Sequence, residues 1–210
     1  MWREELVERS WTIMNRLKTL SDFVLIGGWA TYFWVRKLKS RDVDLCIDSE
    51  HFFLLQSKLK ESGYTVAANP RLAKFEAKIE DVDVDIYTPF QSNLIIPCAE
   101  ILDPRNYSVV EGFKVAKPET LIILKAQAAQ DRWLSEKGFK DRADILSLLL
   151  GEIDYNELNR LLDKYDSGHN ISRTLERVVS RSRSEYRTIG AAYEKHGVAL
   201  KRKLTSRSKP

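Results

Sequence analysis

The stretch from Val24 to Asp48, VLIGGWATYFWVRKLKSRDVDLCID, is the part of the chain around which the rest is organised. Its apolar start, residues 24–26, predicts a short buried strand. Gly27 and Gly28 end that strand, and two glycines let the backbone turn sharply and come close to a ligand. Residues 29–37 then predict a helix, and a helix that opens on such a turn presents free backbone N–H groups that attract phosphate.

Two aspartates follow in the next predicted strand, residues 42–47. Because residues i and i+2 of a strand point to the same side, Asp42 and Asp44 are expected to share a face. Two such carboxylates repel each other unless a cation lies between them, and hard oxygen ligands suit Mg²⁺, which also takes phosphate oxygens. A phosphate-binding turn beside a magnesium-binding pair indicates a site for a nucleoside triphosphate.

This combination of a Gly-Gly turn, a helix and Asp-x-Asp on the following strand resembles the signature of the nucleotidyltransferase superfamily related to DNA polymerase beta. The thirteen residues between Gly28 and Asp42 are slightly more than the superfamily usually has. The resemblance implies a metal-dependent enzyme that transfers a nucleoside monophosphate from a nucleoside triphosphate to an acceptor hydroxyl and releases pyrophosphate. Mg²⁺ is the expected ion, with Mn²⁺ as an alternative.

In the superfamily a later strand supplies a third carboxylate, and the segment 82–87, VDVDIY, is the candidate here. Its apolar residues alternate with Asp83 and Asp85, which follow Asp81 on the same face. By resemblance Asp85 joins Asp42 and Asp44 as a catalytic and metal-binding residue, with Asp83 in reserve. An ordinary strand with one wet face is the alternative, although three carboxylates on one face favour a bound cation.

A second pattern lies in residues 117–150, KPETLIILKAQAAQDRWLSEKGFKDRADILSLLL, which predict two helices. Pro-Glu-x-Leu, a lysine and Lys-Asp-x-x-Asp resemble the helical half of a branch that includes the abortive-infection (AbiEii-type) toxin nucleotidyltransferases. The resemblance implies that Lys125, Asp141 and Asp144 belong to the nucleotide-binding site. The alternative is a set of solvent-facing ion pairs at helical spacing.

Ser40 and Arg41 directly precede the first aspartate, and in the toxin branch a small hydroxyl residue and a basic residue often stand near this position. By that resemblance both are expected to contribute to nucleotide binding together with Gly27 and Gly28. A plain polar loop is the alternative interpretation.

The predicted fold class is α+β, with the nucleotidyltransferase fold as a small mixed β-sheet flanked by helices and followed by a C-terminal helical region. A hairpin that turns at Glu111-Gly112 is expected to close the sheet. The division between residues 116 and 117 separates a predicted catalytic domain, 1–116, from a predicted helical region with a basic tail, 117–210.

Charge is distributed unevenly along the chain. Residues 171–210 carry eleven Lys and Arg against three Glu, whereas the whole chain carries +4, so the first 170 residues are slightly acidic. Basic tails often meet nucleic acid, and RNA or tRNA is therefore a candidate partner; a solvated helix is the plain alternative. The toxin branch also implies an antitoxin as a conceivable partner, and neither that partner nor a homo-oligomer can be read from one chain.

Composition excludes several classes of protein. Hydrophobic residues make up 43% of the sequence, which is enough for a core. No apolar run approaches the ~20 residues of a membrane span, and the N-terminus lacks the apolar core of a signal peptide. The chain has only two cysteines, both in apolar settings, and its three histidines show no zinc spacing. These features predict a cytoplasmic protein.

Two other functions compete with nucleotidyl transfer. A glycosyltransferase also uses Asp-x-Asp with a divalent metal, but it needs neither the upstream Gly-Gly turn nor the later aspartate strand. A catalytically inactive nucleotide- or RNA-binding protein of the same fold is the stronger rival. The presence of Gly27, Gly28 and all three candidate aspartates favours the enzyme.

Overall fold

The computed structural model describes residues 4–205, except for the side chain of Thr205. The chain forms two compact units that divide between Lys117 and Pro118. The first unit is a mixed α/β unit and the second contains only helices among its described residues.

The first unit contains seven strands and four helices within its described residues. The strands are Val24–Ile26 (β1), Val43–Cys46 (β2), Val66–Asn69 (β3), Lys74–Ile79 (β4), Val82–Tyr87 (β5), Tyr107–Val110 (β6) and Phe113–Ala116 (β7). The helices are Glu4–Leu20 (α1), Gly27–Val35 (α2), Ser49–Glu61 (α3) and Cys98–Ile101 (α4).

All seven strands form one sheet in the order β3-β4-β5-β2-β1-β7-β6. β1 pairs with β7 and β2 pairs with β5 in parallel, whereas the other neighbours are antiparallel. The sheet is therefore mixed, and helices α1, α2 and α3 contact it. The predicted α+β class and mixed sheet are confirmed.

The apolar residues of the central strands form the buried core of this unit. All three residues of β1 are buried, and in β5 the buried Val82, Val84 and Ile86 alternate with more exposed acidic residues. α1 helps to hold this layer in place, since the Trp29 indole Nε1 donates a hydrogen bond of 2.7 Å to the buried Ser10 hydroxyl. That bond satisfies a polar group that would be costly to bury alone.

The boundaries of two predicted elements differ from the sequence-based expectation. α2 begins at Gly27 rather than at residue 29, and it ends at Val35 because Arg36 adopts a left-handed conformation with a φ of 53°. β2 begins at Val43, so Asp42 lies immediately before the strand rather than within it. The hairpin turn at Glu111-Gly112 joins β6 to β7 as predicted.

The second unit contains six helices within its described residues. They are Pro118–Asp131 (α5), Glu136–Leu149 (α6), Tyr155–Tyr165 (α7), Asn170–Arg181 (α8), Arg183–Thr188 (α9) and Tyr193–Thr205 (α10). α5 packs mainly against α6, with additional contacts to α7 and α8. Throughout residues 4–205, no helix combines the length and the apolar character needed to cross a membrane.

Candidate functional site

Gly27 brings the main chain into close contact with the carboxylate of Asp44. It is the first residue of α2 and has a φ of 68°, a conformation that suits glycine. A Cβ atom at this position would lie 2.0 Å from Oδ2 of Asp44, so no other residue fits there without displacing the carboxylate. The N-cap residue, Ile26, makes no capping hydrogen bond through its side chain, and the first turn of α2 begins beside Asp44.

A row of acidic residues crosses three neighbouring strands at this level of the sheet. Asp44 on β2 is in register with Asp85 on β5, and Asp85 is in register with Glu76 on β4. Side chains of directly paired residues lie on the same face with their Cβ atoms about 5 Å apart. The structure thus places Asp85 beside Asp44, whereas Asp83 pairs with Lys78 further along the hairpin.

The residues that precede β2 lie next to this row in sequence. Asp42 is partly exposed, and its Oδ1 lies 3.4 Å from Nε of Arg41. Ser40 is buried at 7% exposure, and Arg41 is half-buried. In an exposed polar loop the Ser40 side chain would be accessible to solvent. Its burial shows instead that Ser40 packs against the rest of the protein.

Lys74 is a cation in direct contact with the acidic row, and the sequence-based site did not include it. It lies on β4, is only 8% exposed, and its Nζ is 2.6 Å from Oδ2 of Asp85 and 2.9 Å from Oε1 of Glu76. Burial by itself would lower the pKa of this lysine, but its hydrogen bonds to the two carboxylates outweigh that effect and raise the pKa above its usual value.

The acidic face of β5 is compensated by protein cations. Asp81 forms an ion pair with Arg9 at 3.2 Å, Asp83 lies opposite Lys78, and Asp85 contacts Lys74. Basic residues from β4 and α1 thus accompany these three carboxylates, and the metal-binding role of Asp85 remains a prediction.

The donor set nevertheless fits a hard divalent ion. Asp42, Asp44 and Asp85 are each partly exposed and offer carboxylate oxygens, which are the ligands that Mg²⁺ and Mn²⁺ prefer. Among residues 4–205, however, no group of three His, Cys, Asp or Glu side chains is already gathered closely enough to hold a metal ion. In this structure the Asp85 carboxylate contacts Lys74.

The helical unit contains a second polar cluster, which is buried between α5 and α6. Lys125 Nζ lies 2.9 Å from Oδ1 of Asp141 and 2.9 Å from Oδ2 of Asp144, and both aspartates are 1% exposed. Arg132 approaches Asp141 at 2.7 Å and Lys140 approaches Asp144 at 3.0 Å. Three cations thus surround two carboxylates in a largely buried network, which rules out the alternative of solvent-facing ion pairs.

The charges in this cluster determine the protonation of Asp141. Burial would raise the pKa of its carboxyl group, but Lys125 and Arg132 outweigh that effect and hold the pKa below the usual range. Both oxygens of Asp141 and the Oδ2 atom of Asp144 contact basic groups, so these buried carboxylates hold the basic side chains in position. Arg132, whose side chain is 40% exposed, and Lys140 are the members that sequence-based site prediction left out.

Register could have identified Lys74 and Glu76 from sequence. The two-residue turn at Glu80-Asp81 pairs Ile79 with Val82, and counting back along the hairpin places Glu76 opposite Asp85. Lys74 then lies two residues away on the same face. The sequence alone does not show whether that lysine turns towards Asp85 or towards solvent.

Solved structures with the same fold come from nucleotidyltransferases and related proteins. ANT(2″)-Ia, crystallised in complex with adenylyl-2″-tobramycin, has a TM-score of 0.57 and 17% identity over 75% of this chain and 97% of its own. An antigenic nucleotidyltransferase-like protein from Paracoccidioides brasiliensis has a TM-score of 0.53 and 18% identity over 90% of this chain and 94% of its own. JHP933 from Helicobacter pylori has a TM-score of 0.52 and 14% identity over 99% of this chain and 93% of its own. These similarities establish the nucleotidyltransferase fold.

The sequence itself matches a profile of the family described as nucleotidyl transferase of unknown function (DUF2204) over residues 7–179. Because the match spans most of the chain, the protein belongs to this nucleotidyl transferase family. No curated protein matches the sequence. The predicted membership of the nucleotidyltransferase superfamily is confirmed.

Proposed function

We propose that this protein transfers a nucleoside monophosphate from a nucleoside triphosphate to an acceptor hydroxyl and releases pyrophosphate. The observation that carries the proposal is the position of Gly27, whose α-carbon lies against the Asp44 carboxylate at the start of α2 while Asp85 is in register beside it. With these groups side by side, the helix N-terminus can bind the phosphate groups of a nucleoside triphosphate and the carboxylate pair can bind its metal ion.

In the sheet unit, the proposed catalytic and metal-binding residues are Asp42, Asp44 and Asp85. Gly27 and Gly28 would present the N–H groups of α2 to phosphate oxygens. The acceptor hydroxyl releases its proton to solvent and its oxygen bonds to the α-phosphorus, the bond from that phosphorus to the oxygen bridging it to the β-phosphorus breaks, and pyrophosphate leaves. No side chain becomes covalently modified.

A divalent ion, Mg²⁺ or Mn²⁺, would be held by the three aspartates. When bound, such an ion neutralises phosphate charge and lowers the cost of charge that develops on the leaving group. The chain's own contribution is to keep Asp44 and Asp85 in register on neighbouring strands, with Asp44 held against Gly27. Ser40 and Arg41 are proposed to orient the nucleotide from the segment that leads into β2.

In the helical unit, Lys125 is the proposed triphosphate contact, and Asp141 and Asp144 are proposed to hold it in position. Both carboxylates are almost fully buried and accept bonds from basic groups, which suits support rather than direct contact with an anionic ligand. The surplus of one positive charge in the cluster favours phosphate. The sheet unit is thus proposed as the nucleotidyltransferase domain, and the helical unit as its accessory region.

Three classes of acceptor are compatible with this chemistry, namely RNA or tRNA, a protein side chain and a small molecule such as an antibiotic hydroxyl. The last class matches the adenylyl-tobramycin complex of ANT(2″)-Ia. RNA is favoured by the exposed arginines on α8, at positions 173, 177 and 181, which recur every four residues along one side of the helix. Such a basic stripe suits a phosphate backbone.

The first test is a calorimetric titration of each of the four ribonucleoside triphosphates with and without Mg²⁺. Magnesium-dependent binding that weakens at least tenfold in the Asp44→Asn variant is the expected result, since that substitution removes a carboxylate charge at an almost unchanged volume. A labelled-transfer screen with RNA, protein and aminoglycoside acceptors then identifies the product.

The rival, an inactive RNA-binding protein, gives a different pattern in the same experiments. It would bind RNA in a salt-dependent manner with no requirement for Mg²⁺ or triphosphate, and no label would appear on any acceptor. Absence of binding to all four triphosphates would exclude the proposed reaction.

A further inference from the structure

Lys74 is held in place by groups on three sides. Its Nζ bridges Oδ2 of Asp85 at 2.6 Å and Oε1 of Glu76 at 2.9 Å. Glu76 is itself fixed, because its Oε2 accepts a hydrogen bond of 3.1 Å from Nδ2 of Asn69. The backbone carbonyl of Lys74 accepts a hydrogen bond of 3.1 Å from the Gln91 side chain. Lys74 is therefore a buried lysine whose ammonium group contacts two carboxylates.

The two carboxylates that hold Lys74 differ in their surroundings. Asp85 lies towards the centre of the sheet, in register with Asp44, and its side chain is 20% exposed. Glu76 lies one strand further out on β4 and its side chain is 41% exposed. The lysine thus connects a proposed metal-binding carboxylate to a more peripheral one on the next strand.

We propose that Lys74 is a positioning residue that acts as an internal cation, occupying the Asp85 carboxylate in the absence of a divalent ion and remaining with Glu76 when such an ion takes Asp85. This inference rests on the proposed function, because it treats Asp85 as a metal-binding carboxylate. Glu76 has no other part in the proposed reaction. Its role in this proposal is to hold the Lys74 ammonium group when a divalent ion occupies Asp85.

The consequence is competition between Lys74 and a divalent ion for the same carboxylate. A cation that approaches Asp85 must weaken a charge-assisted hydrogen bond and approach the ammonium group of the lysine, and like charges at such distances repel each other strongly where water is partly excluded. Lys74 therefore lowers the affinity of the bare protein for metal. The lysine also reduces the electrostatic repulsion among the carboxylates of Asp44, Asp85 and Glu76 while no ion is bound.

The test is to measure Mn²⁺ binding to the full-length protein by electron paramagnetic resonance of the free ion, with no nucleotide present. Lys74→Met removes the charge and keeps most of the apolar stem. The expected result is an apparent affinity for Mn²⁺ higher than that of wild type on the order of tenfold. Lys78→Met is the matched control, since Lys78 lies on the same face of the same strand but is exposed. The Mn²⁺ affinity of this control variant should stay within about twofold of wild type.

A double variant assigns the effect to Asp85. In an Asp85→Asn background, Lys74→Met should no longer change the affinity, because the contact through which the lysine acts is already gone. A purely structural role for Lys74 would lower the melting temperature but leave the Mn²⁺ affinity unchanged. If Lys74→Met does not fold, Lys74→Gln keeps hydrogen-bonding capacity without the charge and should show the same direction of change.

Equal Mn²⁺ affinities in wild type and Lys74→Met, or no Mn²⁺ binding in either, would overturn this inference. A labelled-transfer assay on the same samples separates it from the proposed function. Tighter Mn²⁺ binding in the variant with no transfer by wild type would support the role of Lys74 and reject the reaction. Transfer by wild type with unchanged metal affinity in the variant would reject the role of Lys74 alone.

Discussion

Replacing Gly27 with alanine would place a methyl group where the carboxylate of Asp44 lies. The added carbon would be 2.0 Å from Oδ2, 2.5 Å from Cγ and 2.8 Å from Cβ of Asp44. An ordinary contact between such atoms is about 3.5–4.0 Å. The carboxylate would therefore have to move by more than an ångström, or α2 would have to shift at its first residue.

Two separate costs follow from this geometry. A residue other than glycine at a φ of 68° is strained by about 1–2 kcal/mol. Overpacking against the aspartate adds about 1–3 kcal/mol. We expect Gly27→Ala to lower the free energy of unfolding by about 2–5 kcal/mol in total. A displacement of this size in a proposed metal-binding carboxylate should reduce nucleotidyl transfer by about 100-fold.

Gly63→Ala is the matched control for the strain alone. Gly63 also has a positive φ, 83°, but no atom lies within 4 Å of the position that its Cβ would take. This control should cost about 1–2 kcal/mol and leave triphosphate binding unchanged. Chemical denaturation measures the difference in stability, and calorimetry with Mg²⁺ and triphosphate measures the difference in binding.

The reasoning would be refuted by two results. If Gly27→Ala and Gly63→Ala lose the same stability, the contact with Asp44 contributes nothing beyond backbone strain. If Gly27→Ala is destabilised as expected but binds and transfers nucleotide like the control, the position of the Asp44 carboxylate does not matter for the reaction.

Four further outcomes are expected. Asp44→Asn should retain the folded structure, seen in its circular dichroism spectrum, and abolish transfer of label from triphosphate. Lys125→Met should lower the free energy of unfolding by about 3–5 kcal/mol in urea titrations, because it leaves buried carboxylates with one cation fewer. The pKa of Asp141 is lowered in the folded state, so its stabilising contribution is complete above the unfolded pKa of about 3.9 and is lost as the pH falls through the lower folded-state value. Acid titrations should therefore show wild type losing its stability advantage over Asp141→Asn below about pH 4. Ser10→Ala should cost about 1–3 kcal/mol in the same urea assay by leaving the Trp29 indole N–H without its acceptor.

Control variants separate these effects from general damage. Glu157→Gln breaks a more exposed helical ion pair and should cost at most about 1 kcal/mol, so an equally small effect of Lys125→Met would contradict a buried network. Thr12→Ala removes an exposed hydroxyl on the same helix as Ser10, and equal losses from the two variants would contradict the importance of the buried bond. Full transfer by Asp44→Asn would remove that residue from the proposed site.

The local sequence predicted much of the sheet unit because its signals act over a few residues. The apolar run 24–26, the alternation in 82–87 and the Glu111-Gly112 turn each reflect backbone geometry that neighbouring residues impose. The Gly-Gly turn followed by Asp-x-Asp also indicated the nucleotidyltransferase superfamily from sequence alone, since the turn and the strand order place those groups together. The predicted start of β2 was one residue too early. The limits of a strand are set by its hydrogen-bonded pairing with neighbouring strands, whereas the prediction followed the side-chain pattern.

Tertiary structure alone decided how the charged residues are paired. From sequence, Lys125, Asp141 and Asp144 fit an exposed helical surface as well as a site, and only the packing of α5 against α6 buries them together. Lys74 lies on β4, and its contact with Asp85 depends on the side-chain conformation that the β4–β5 pairing allows. Hydrophobic periodicity can be read from a short stretch of sequence, because it reflects only the local backbone geometry. The ion-pair partner of a long, flexible charged side chain depends instead on which distant groups the fold brings within about 3 Å of it.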